Sequence, residues 1–153
     1  VGMMVEVPAA VMMLDKLLRE VDFVSIGTND LIQYCLAVDR SNSALANLYR
    51  ASDPAVLWLI QTTLSLANAA EVPVNLCGDM STTPRYIPLL LGLGLRSMSL
   101  PPSAIPEIKQ VCRSFNIKQC GEIAKRAMLL DSAREVDTFL TQEIRQIMPD
   151  LAP

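Results

Sequence analysis

The sequence predicts an α/β fold with a parallel sheet, made of about four βα units and a C-terminal helical part. Four short apolar runs, each followed by a helical pattern, begin roughly 20 to 50 residues apart, as βα units do. Polar or small residues stand at or near the end of each run, where parallel α/β sheets bind ligands. Periodicity does not separate an open doubly wound sheet from half of an eight-stranded (β/α)8 TIM barrel.

The first two units lie before Asp53. Pro8 suits the first position of a helix, and apolar residues follow it at mixed spacings of three and four. A second apolar run ends at a glycine, followed by an amide and a carboxylate, which is typical of a strand that leads into a binding loop. The predicted elements are strand 2–7, helix 9–20, strand 22–26, loop 27–30 and helix 31–38.

The next units begin at Asp53 and Pro54, a favoured N-cap followed by a favoured first helical residue. Pro88 is placed to kink its helix, and Ser103 to cap the helix after the fourth strand. The predicted elements are helix 54–70, strand 72–77, helix 84–93, strand 96–100 and helices 104–114, 117–130 and 133–148.

Length, charge and hydropathy favour a single domain and argue against nucleic-acid binding and membrane insertion. We assign residues 1–153 to a single domain, with βα units over 1–115 and C-terminal helices over 116–153. The formal charge is −3 and the 13 Lys and Arg residues are scattered, which argues against a nucleic-acid partner. No apolar run reaches the roughly 20 residues of a membrane span. We therefore predict no membrane insertion and a cytoplasmic parent protein.

The cysteine pattern argues against a zinc site and against a disulfide framework. The four cysteines are irregularly spaced, and the sequence contains no histidine. We expect reduced thiols. The first residues already have the pattern of a buried strand, which is typical of a fragment of a longer protein.

Glu6 and Asp30 are candidate metal ligands. They lie at the ends of neighbouring predicted strands, so their carboxylates can meet at one edge of the sheet. Oxygen ligands without histidine or a thiolate pair select a hard cation, Mg²⁺ or Mn²⁺, which normally bridges to substrate phosphate or carboxylate oxygens. The alternative for Glu6 is a buried acid paired with an arginine or lysine of a neighbouring strand.

Three further side chains are candidates for substrate binding or proton transfer. Asn29 can orient a phosphate or carboxylate, or it can be a helix N-cap. Arg40 can clamp a phosphate through two hydrogen bonds, or it can be a surface arginine beside Asp39. Cys77 ends a strand before a glycine, so its thiol can exchange a proton near a cation, or it can be a small buried packing residue.

Several stretches together carry a family resemblance. They are GMMVEVPAA at 2–10, VDFVSIGTNDL at 21–31, QY at 33–34, LAVDR at 36–40 and CG at 77–78. On these stretches, over about residues 2–115, the chain resembles the C-terminal domain of the Enzyme I family, the phosphoenolpyruvate-protein phosphotransferases of the bacterial sugar phosphotransferase system, and its nitrogen-related paralogue.

The resemblance implies a (β/α)8 barrel that binds phosphoenolpyruvate and Mg²⁺ at its C-terminal face, with this chain supplying strands five to eight. It implies that Glu6 and Asp30 ligate Mg²⁺, and that Asn29 and Arg40 bind the phosphate and carboxylate end of the substrate. It also implies that Cys77 protonates the enolate carbon as pyruvate forms. The implied partners are a phosphohistidine domain, a phosphocarrier protein and a second copy of the chain in a homodimer.

The sequence departs from the family's pattern after Gly78. Asp79 stands where the family usually has Glu, and Ser81 and Thr82 stand where it often has Ala and Gly. The resemblance places further phosphate-binding arginines on earlier strands, so we expect little or no turnover from this chain alone. Two other functions stay open, a non-catalytic phosphoenolpyruvate-binding or regulatory module and an unrelated four-unit α/β domain.

Overall fold

A computed structural model describes residues 1–149 and shows four parallel strands joined by helical connections. The strands pair in chain order, β1-β2-β3-β4, so each crossover returns the chain to the next position in the sheet. This confirms the predicted mixed α/β fold with a parallel sheet. The strands are β1 at Gly2–Val5, β2 at Phe23–Gly27, β3 at Val74–Cys77 and β4 at Ser97–Met98.

Eight α-helices and several 3₁₀ turns make up the rest of the described chain. The 3₁₀ segments are Ser43–Leu48, Asp79–Thr82, Pro84–Tyr86 and Pro102–Ala104. The helices are α1 at Pro8–Met12, α2 at Leu14–Leu17, α3 at Thr28–Leu36, α4 at Pro54–Ala69, α5 at Ile87–Gly92, α6 at Ile105–Ser114, α7 at Ile117–Ala127 and α8 at Ala133–Ile147.

One face of the sheet is buried in the hydrophobic core. Val5, Ile26, Leu76 and Met98 form a row across all four strands, and the first three are fully buried. Apolar side chains of α1 to α4 belong to the same core. Burial of such a row is the main stabilising contribution to the fold, at about 1.5–3 kcal/mol for each large aliphatic side chain.

The opposite face, which we call the open face, carries the row Met4, Ser25, Asn75 and Ser97. Met4 is 48% exposed and Phe23, on the same face, is 50% exposed. Asn75 Nδ2 donates to Ser25 Oγ at 3.3 Å, and Ser97 Oγ donates to Asn75 Oδ1 at 3.1 Å. These cross-strand hydrogen bonds satisfy the polar groups of a face that no helix of the described residues buries.

Several predicted boundaries differ from the structure for local reasons. The predicted helix 9–20 is interrupted at Met13, whose φ of −107° and ψ of 8° are not helical. The predicted loop 27–30 is instead the first turn of α3, which begins at Thr28. Pro88 lies in the first turn of α5, where no backbone N–H is needed, so it starts a helix rather than kinking one. The fourth strand pairs over Ser97 and Met98 alone.

The C-terminal helices pack on the outside of the sheet domain. Asn116 caps α7 in a reciprocal capping box with Gln119, and the side chain of Ser132 caps α8. The predicted cap at Ser103 is wrong, because a 3₁₀ turn precedes α6 and no side chain caps that helix. No helix within residues 1–149 combines the length and apolar character needed to cross a membrane.

Helices α5 and α7 are in close contact at Gly92. A Cβ atom on Gly92 would lie 2.0 Å from the carbonyl oxygen of Cys120 and 2.8 Å from the Cβ of Ala124. The contact therefore depends on a residue without a side chain, because the obstructing atom belongs to the backbone of α7.

We expect Gly92→Ala to lower the free energy of unfolding by about 1–3 kcal/mol, because α5 and α7 must separate to admit the methyl group. Urea unfolding measures this change. The matched control is Gly121→Ala in α7, where a Cβ would meet nothing within 4 Å. It should raise stability by about 0.5–1 kcal/mol through helix propensity. Equal effects of the two substitutions would contradict the close approach at Gly92.

Candidate functional site

The carboxyl ends of β2 and β3 are tied together by paired backbone and side-chain contacts. Gly27 and Cys77 are register partners at the last position of the two strands. Thr28 Oγ1 donates to the carbonyl oxygen of Cys77 at 3.0 Å, and the N–H of Asp79 donates to Asn29 Oδ1 at 2.9 Å. The first turn of α3 is thereby held against the turn that follows β3.

Gly78 makes this approach possible. Its φ of 112° and ψ of −177° belong to a region that essentially only glycine adopts. A Cβ at this position would lie 2.2 Å from Thr28 Oγ1 and 2.8 Å from Asn29 Oδ1. Both the backbone conformation and the available space therefore require glycine.

Glu6 lies across the end of β2. A Cβ on Gly27 would be 2.8 Å from both Cγ and Oε1 of Glu6, so the absence of a side chain at Gly27 leaves room for the carboxylate. Glu6 is partly buried, and within residues 1–149 it forms no ion pair with a lysine or arginine. Asp30 follows in the first turn of α3. The acid–base pairing considered for Glu6 is thus not seen in the described residues.

Glu6 follows β1 and Asp30 lies in the first turn of α3 after β2, so these two residues offer two carboxylates rather than a complete metal cage. No group of three or more His, Cys, Asp and Glu side chains converges anywhere in the described chain. Mg²⁺ commonly takes only one or two protein carboxylates and completes its octahedron with water and substrate phosphate oxygens. Glu6 and Asp30 fit that pattern in number and in chemistry.

Asn29 is not the N-cap of α3, since that position is occupied by Gly27 and no side chain caps the helix. The N–H of Asp79 can only donate, so the oxygen of the Asn29 amide must face it. The amide nitrogen of Asn29 therefore points away from Asp79, with two hydrogens available to an acceptor.

Arg40 lies on the turn that ends α3. Ala37 adopts a left-handed conformation with φ of 53°, and the N–H of Val38 donates to the carbonyl oxygen of Gln33 at 3.0 Å. The N–H of Arg40 donates to Gln33 Oε1 at 3.2 Å, while its side chain is exposed. Asp39 Oδ1 accepts hydrogen bonds from the hydroxyl and N–H of Ser41, which hold the pKa of the Asp39 carboxyl below its usual range.

Tyr49 is a site residue that the sequence analysis missed, because it lies in a stretch without helical or strand periodicity. Its hydroxyl donates to the carbonyl oxygen of Asn29 at 3.1 Å. Burial raises the pKa of Tyr49, and the negative charges of Asp79 and Asp30 act in the same direction against the opposing charge of Arg40. All four residues therefore share one electrostatic neighbourhood.

Cys77 lies on the open face at the end of β3 and is partly exposed. Its sulfur is 3.8 Å from the hydroxyl oxygen of Ser25 and 3.7 Å from the carbonyl oxygen of Ile26. The Cys77 thiol therefore lies at the carboxyl end of the sheet, outside the hydrophobic core. The other cysteines lie in helices, and burial raises the pKa of the Cys35, Cys112 and Cys120 thiols.

We expect Tyr49→Phe to lower the free energy of unfolding at pH 7 by about 0.5–1.5 kcal/mol, because the bond to Asn29 is lost. Above pH 10 the unfolded wild-type chain releases the Tyr49 proton while the folded chain keeps it. Wild-type stability should therefore fall as the pH rises through this range, and the variant should fall less steeply. Urea unfolding between pH 7 and 11 measures both effects. Identical pH slopes would contradict the buried, hydrogen-bonded hydroxyl.

Comparison with known proteins identifies the family. The sequence profile described as "PEP-utilising enzyme, PEP-binding domain" matches residues 1–117. The phosphoenolpyruvate-protein phosphotransferase of Cupriavidus necator is 52% identical over 110 residues, which cover 72% of this chain and 19% of that protein.

Two further relatives match over longer stretches. The phosphoenolpyruvate-protein phosphotransferase of Mycoplasma pneumoniae is 41% identical over 139 residues, covering 91% of this chain and 24% of that protein. Multiphosphoryl transfer protein 1 of Escherichia coli is 40% identical over 140 residues, covering 92% of this chain and 17% of that protein. This chain therefore spans about a fifth of the length of these relatives. By these matches, the chain belongs to the family of phosphoenolpyruvate-utilising enzymes, within the phosphoenolpyruvate-binding domain.

Proposed function

We propose that this chain supplies the Mg²⁺- and phosphoenolpyruvate-binding edge of a phosphoenolpyruvate-protein phosphotransferase. The observation that carries the proposal is the junction at the ends of β1, β2 and β3. There Glu6 lies over Gly27, and Asn29 is bonded to the turn after Cys77. The names of the similar proteins supply the reaction class.

In this proposal Glu6 and Asp30 would hold Mg²⁺, which would supply positive charge to offset that of the substrate phosphate. Asn29 donates its amide hydrogens to the phosphate or carboxylate of the substrate, because its oxygen is already engaged by Asp79. The exposed Arg40 side chain reaches back from the end of α3 and binds the phosphate oxygens in bidentate fashion. Each of these groups is most useful when negative charge builds up on the bridging oxygen.

Cys77 is the proposed proton donor. The bond between phosphorus and the bridging oxygen breaks as the phosphoryl group passes to a histidine nitrogen on a separate phosphohistidine domain. The electron pair left on that oxygen forms the enolate of pyruvate, and the Cys77 thiol gives its proton to the enolate carbon. A phosphocarrier protein is the next phosphoryl acceptor. The position of the sulfur at the partly exposed sheet edge supports this role.

We further propose that the open face is the inside of a (β/α)8 barrel. Parallel sheets are normally covered on both faces, and in a barrel the uncovered face is filled by side chains of the other strands. Met4 and Phe23 offer apolar area for this packing, and the bonded row Ser25–Asn75–Ser97 offers satisfied polar groups. The chain would contribute strands five to eight of the barrel.

Calorimetric titration tests the binding site. We expect Mg²⁺ and phosphoenolpyruvate together to give a binding signal with the wild-type chain, and Glu6→Ala to abolish its metal-dependent part because one carboxylate ligand is lost. The control is Glu107→Ala, which removes an exposed acid in the first turn of α6 and should leave the signal unchanged. An unchanged signal in Glu6→Ala would contradict the assigned ligand.

The alternative is a module that binds phosphoenolpyruvate without catalysis. Adding the phosphohistidine domain and the phosphocarrier protein separates the two functions. With a polypeptide that supplies the first four barrel strands also present, transfer of phosphoryl groups to the carrier supports the enzyme, and binding without any transfer supports the module.

The open face also predicts self-association of this chain as a homodimer in solution. Sedimentation at micromolar concentration should show a dimer, because half-exposed apolar side chains and the edges of β1 and β4 remain uncovered. Met4→Lys on the open face should shift the protein towards the monomer, whereas Met12→Lys, 79% exposed on α1, should not. A monodisperse wild-type monomer would contradict this prediction.

A further inference from the structure

The turn after β3 is anchored at both ends. At its start the N–H of Asp79 is bonded to Asn29. At its far end the Tyr86 hydroxyl donates to Asp137 Oδ1 of α8 at 3.0 Å. Arg85 Nε lies 3.6 Å from the same carboxylate oxygen. We call residues 78–86 the site turn.

Side-chain hydroxyls make the site turn a single internally bonded unit. Thr82 Oγ1 and Thr83 Oγ1 donate to the carbonyl oxygen of Asp79 at 3.0 and 2.9 Å. Ser81 Oγ lies 2.7 Å from the carbonyl oxygen of Gly78 and 3.0 Å from that of Ser99. Because the turn is internally bonded, we expect a shift of Tyr86 to move the backbone of Asp79 as well.

The contact with α8 is largely shielded from water. Tyr86 is 5% exposed and the Asp137 side chain is 24% exposed. Burial raises the pKa of the Tyr86 hydroxyl, so it keeps its proton and acts as a donor. Arg85 Nε is buried without a hydrogen-bond acceptor among residues 1–149, which leaves the carboxylate of Asp137 to compensate its charge.

The same contact borders the candidate site. A crevice of about 190 Å³ is lined by Tyr49, Asp79, Arg85, Tyr86 and Asp137, among other residues. Tyr49 is bonded to the backbone carbonyl of Asn29, so Asp137 shares this crevice with a residue that contacts Asn29 directly.

We propose that Asp137 on α8 is a positioning residue for the substrate site, acting through Tyr86 and Arg85 on the site turn and so on Asn29. Helix α8 lies beyond the residues 1–117 that match the family profile. The role would therefore be contributed by a helix that follows the residues matched by the profile. The inference rests on the proposed function, because the site it supports is the one proposed above.

Helix α8 is docked independently of Asp137, which makes the role separable from folding. Val136, Leu140 and Ile144 bury its apolar face, and Ser52 Oγ donates to the carbonyl oxygen of Ala133 at 3.2 Å. Removal of the Asp137 carboxylate should thus leave the helix in place and release the far end of the site turn.

The test compares Asp137→Ala and Asp137→Asn with the control Glu143→Ala, which removes another acid of α8 whose partner is Arg126 at 3.0 Å. Hydrogen exchange followed by mass spectrometry should show exchange about tenfold faster over residues 78–86 in Asp137→Ala. Asp137→Asn retains an acceptor for Tyr86 and should recover part of this protection. Residues 23–27 of β2 should be unaffected in every variant.

The second measurement is the calorimetric affinity for phosphoenolpyruvate with Mg²⁺. We expect about three- to tenfold weaker binding in Asp137→Ala, partial recovery in Asp137→Asn and wild-type affinity in Glu143→Ala. An unchanged exchange rate over the site turn, faster exchange throughout the chain, or local acceleration with unchanged affinity would each overturn the positioning role.

The two proposals fail in different ways. A wild-type chain that binds neither Mg²⁺ nor phosphoenolpyruvate contradicts the proposed function. It also contradicts the role of Asp137 in substrate binding, whatever hydrogen exchange shows about the order of the site turn. Wild-type binding with no response to Asp137→Ala contradicts the positioning role alone.

Discussion

The pairing of Gly27 with Cys77 at the end of β2 and β3 brings Glu6, Asn29 and Cys77 to one end of the sheet. Because parallel strands in register end at the same edge, the residues that follow each strand meet there without further constraint. The missing side chain of Gly27 leaves room for Glu6, which follows β1, and that of Gly78 leaves room for Asn29 of α3. Gly27 and Gly78 thus allow polar side chains to meet at the carboxyl end of the sheet.

The two faces of the sheet show why this edge is suited to a ligand. On one face three of the four residues of the apolar row are fully buried, and they give the rigid support on which the site depends. On the other face the polar groups of Ser25, Asn75 and Ser97 satisfy one another, while Cys77 at the end of the same face keeps its sulfur near the surface. The buried face therefore keeps the site rigid, and the open face gives a ligand access to it.

Sequence reasoning predicted the βα order and the parallel sheet, because these follow from local periodicity and from caps such as Asp53. It placed the end of the first strand at residue 7 and that of the fourth at residue 100, whereas these strands end at Val5 and Met98. It predicted Glu6, Asn29 and Cys77 at one edge for the same reason. It did not find Tyr49, which lies in a segment without periodicity and contacts Asn29 20 positions away. It did not find Asp137, whose bond to Tyr86 spans 51 positions. Contacts of that separation depend on packing between elements, which leaves no local pattern.

The loop after β3 shows how a departure from the family's pattern can be accommodated. Asp79, shorter than the usual glutamate, contributes its backbone rather than its carboxylate to the junction, through the N–H bonded to Asn29. Ser81 and Thr82 stand where small residues are usual, and their hydroxyls donate to backbone carbonyl oxygens of the same turn. Met80, which precedes them, is fully buried. Each such bond contributes about 0.5–1.5 kcal/mol, so together they offset part of the backbone freedom lost in ordering the turn. The substituted residues therefore stabilise the turn in a different way, and its position relative to Asn29 depends on both of its anchors.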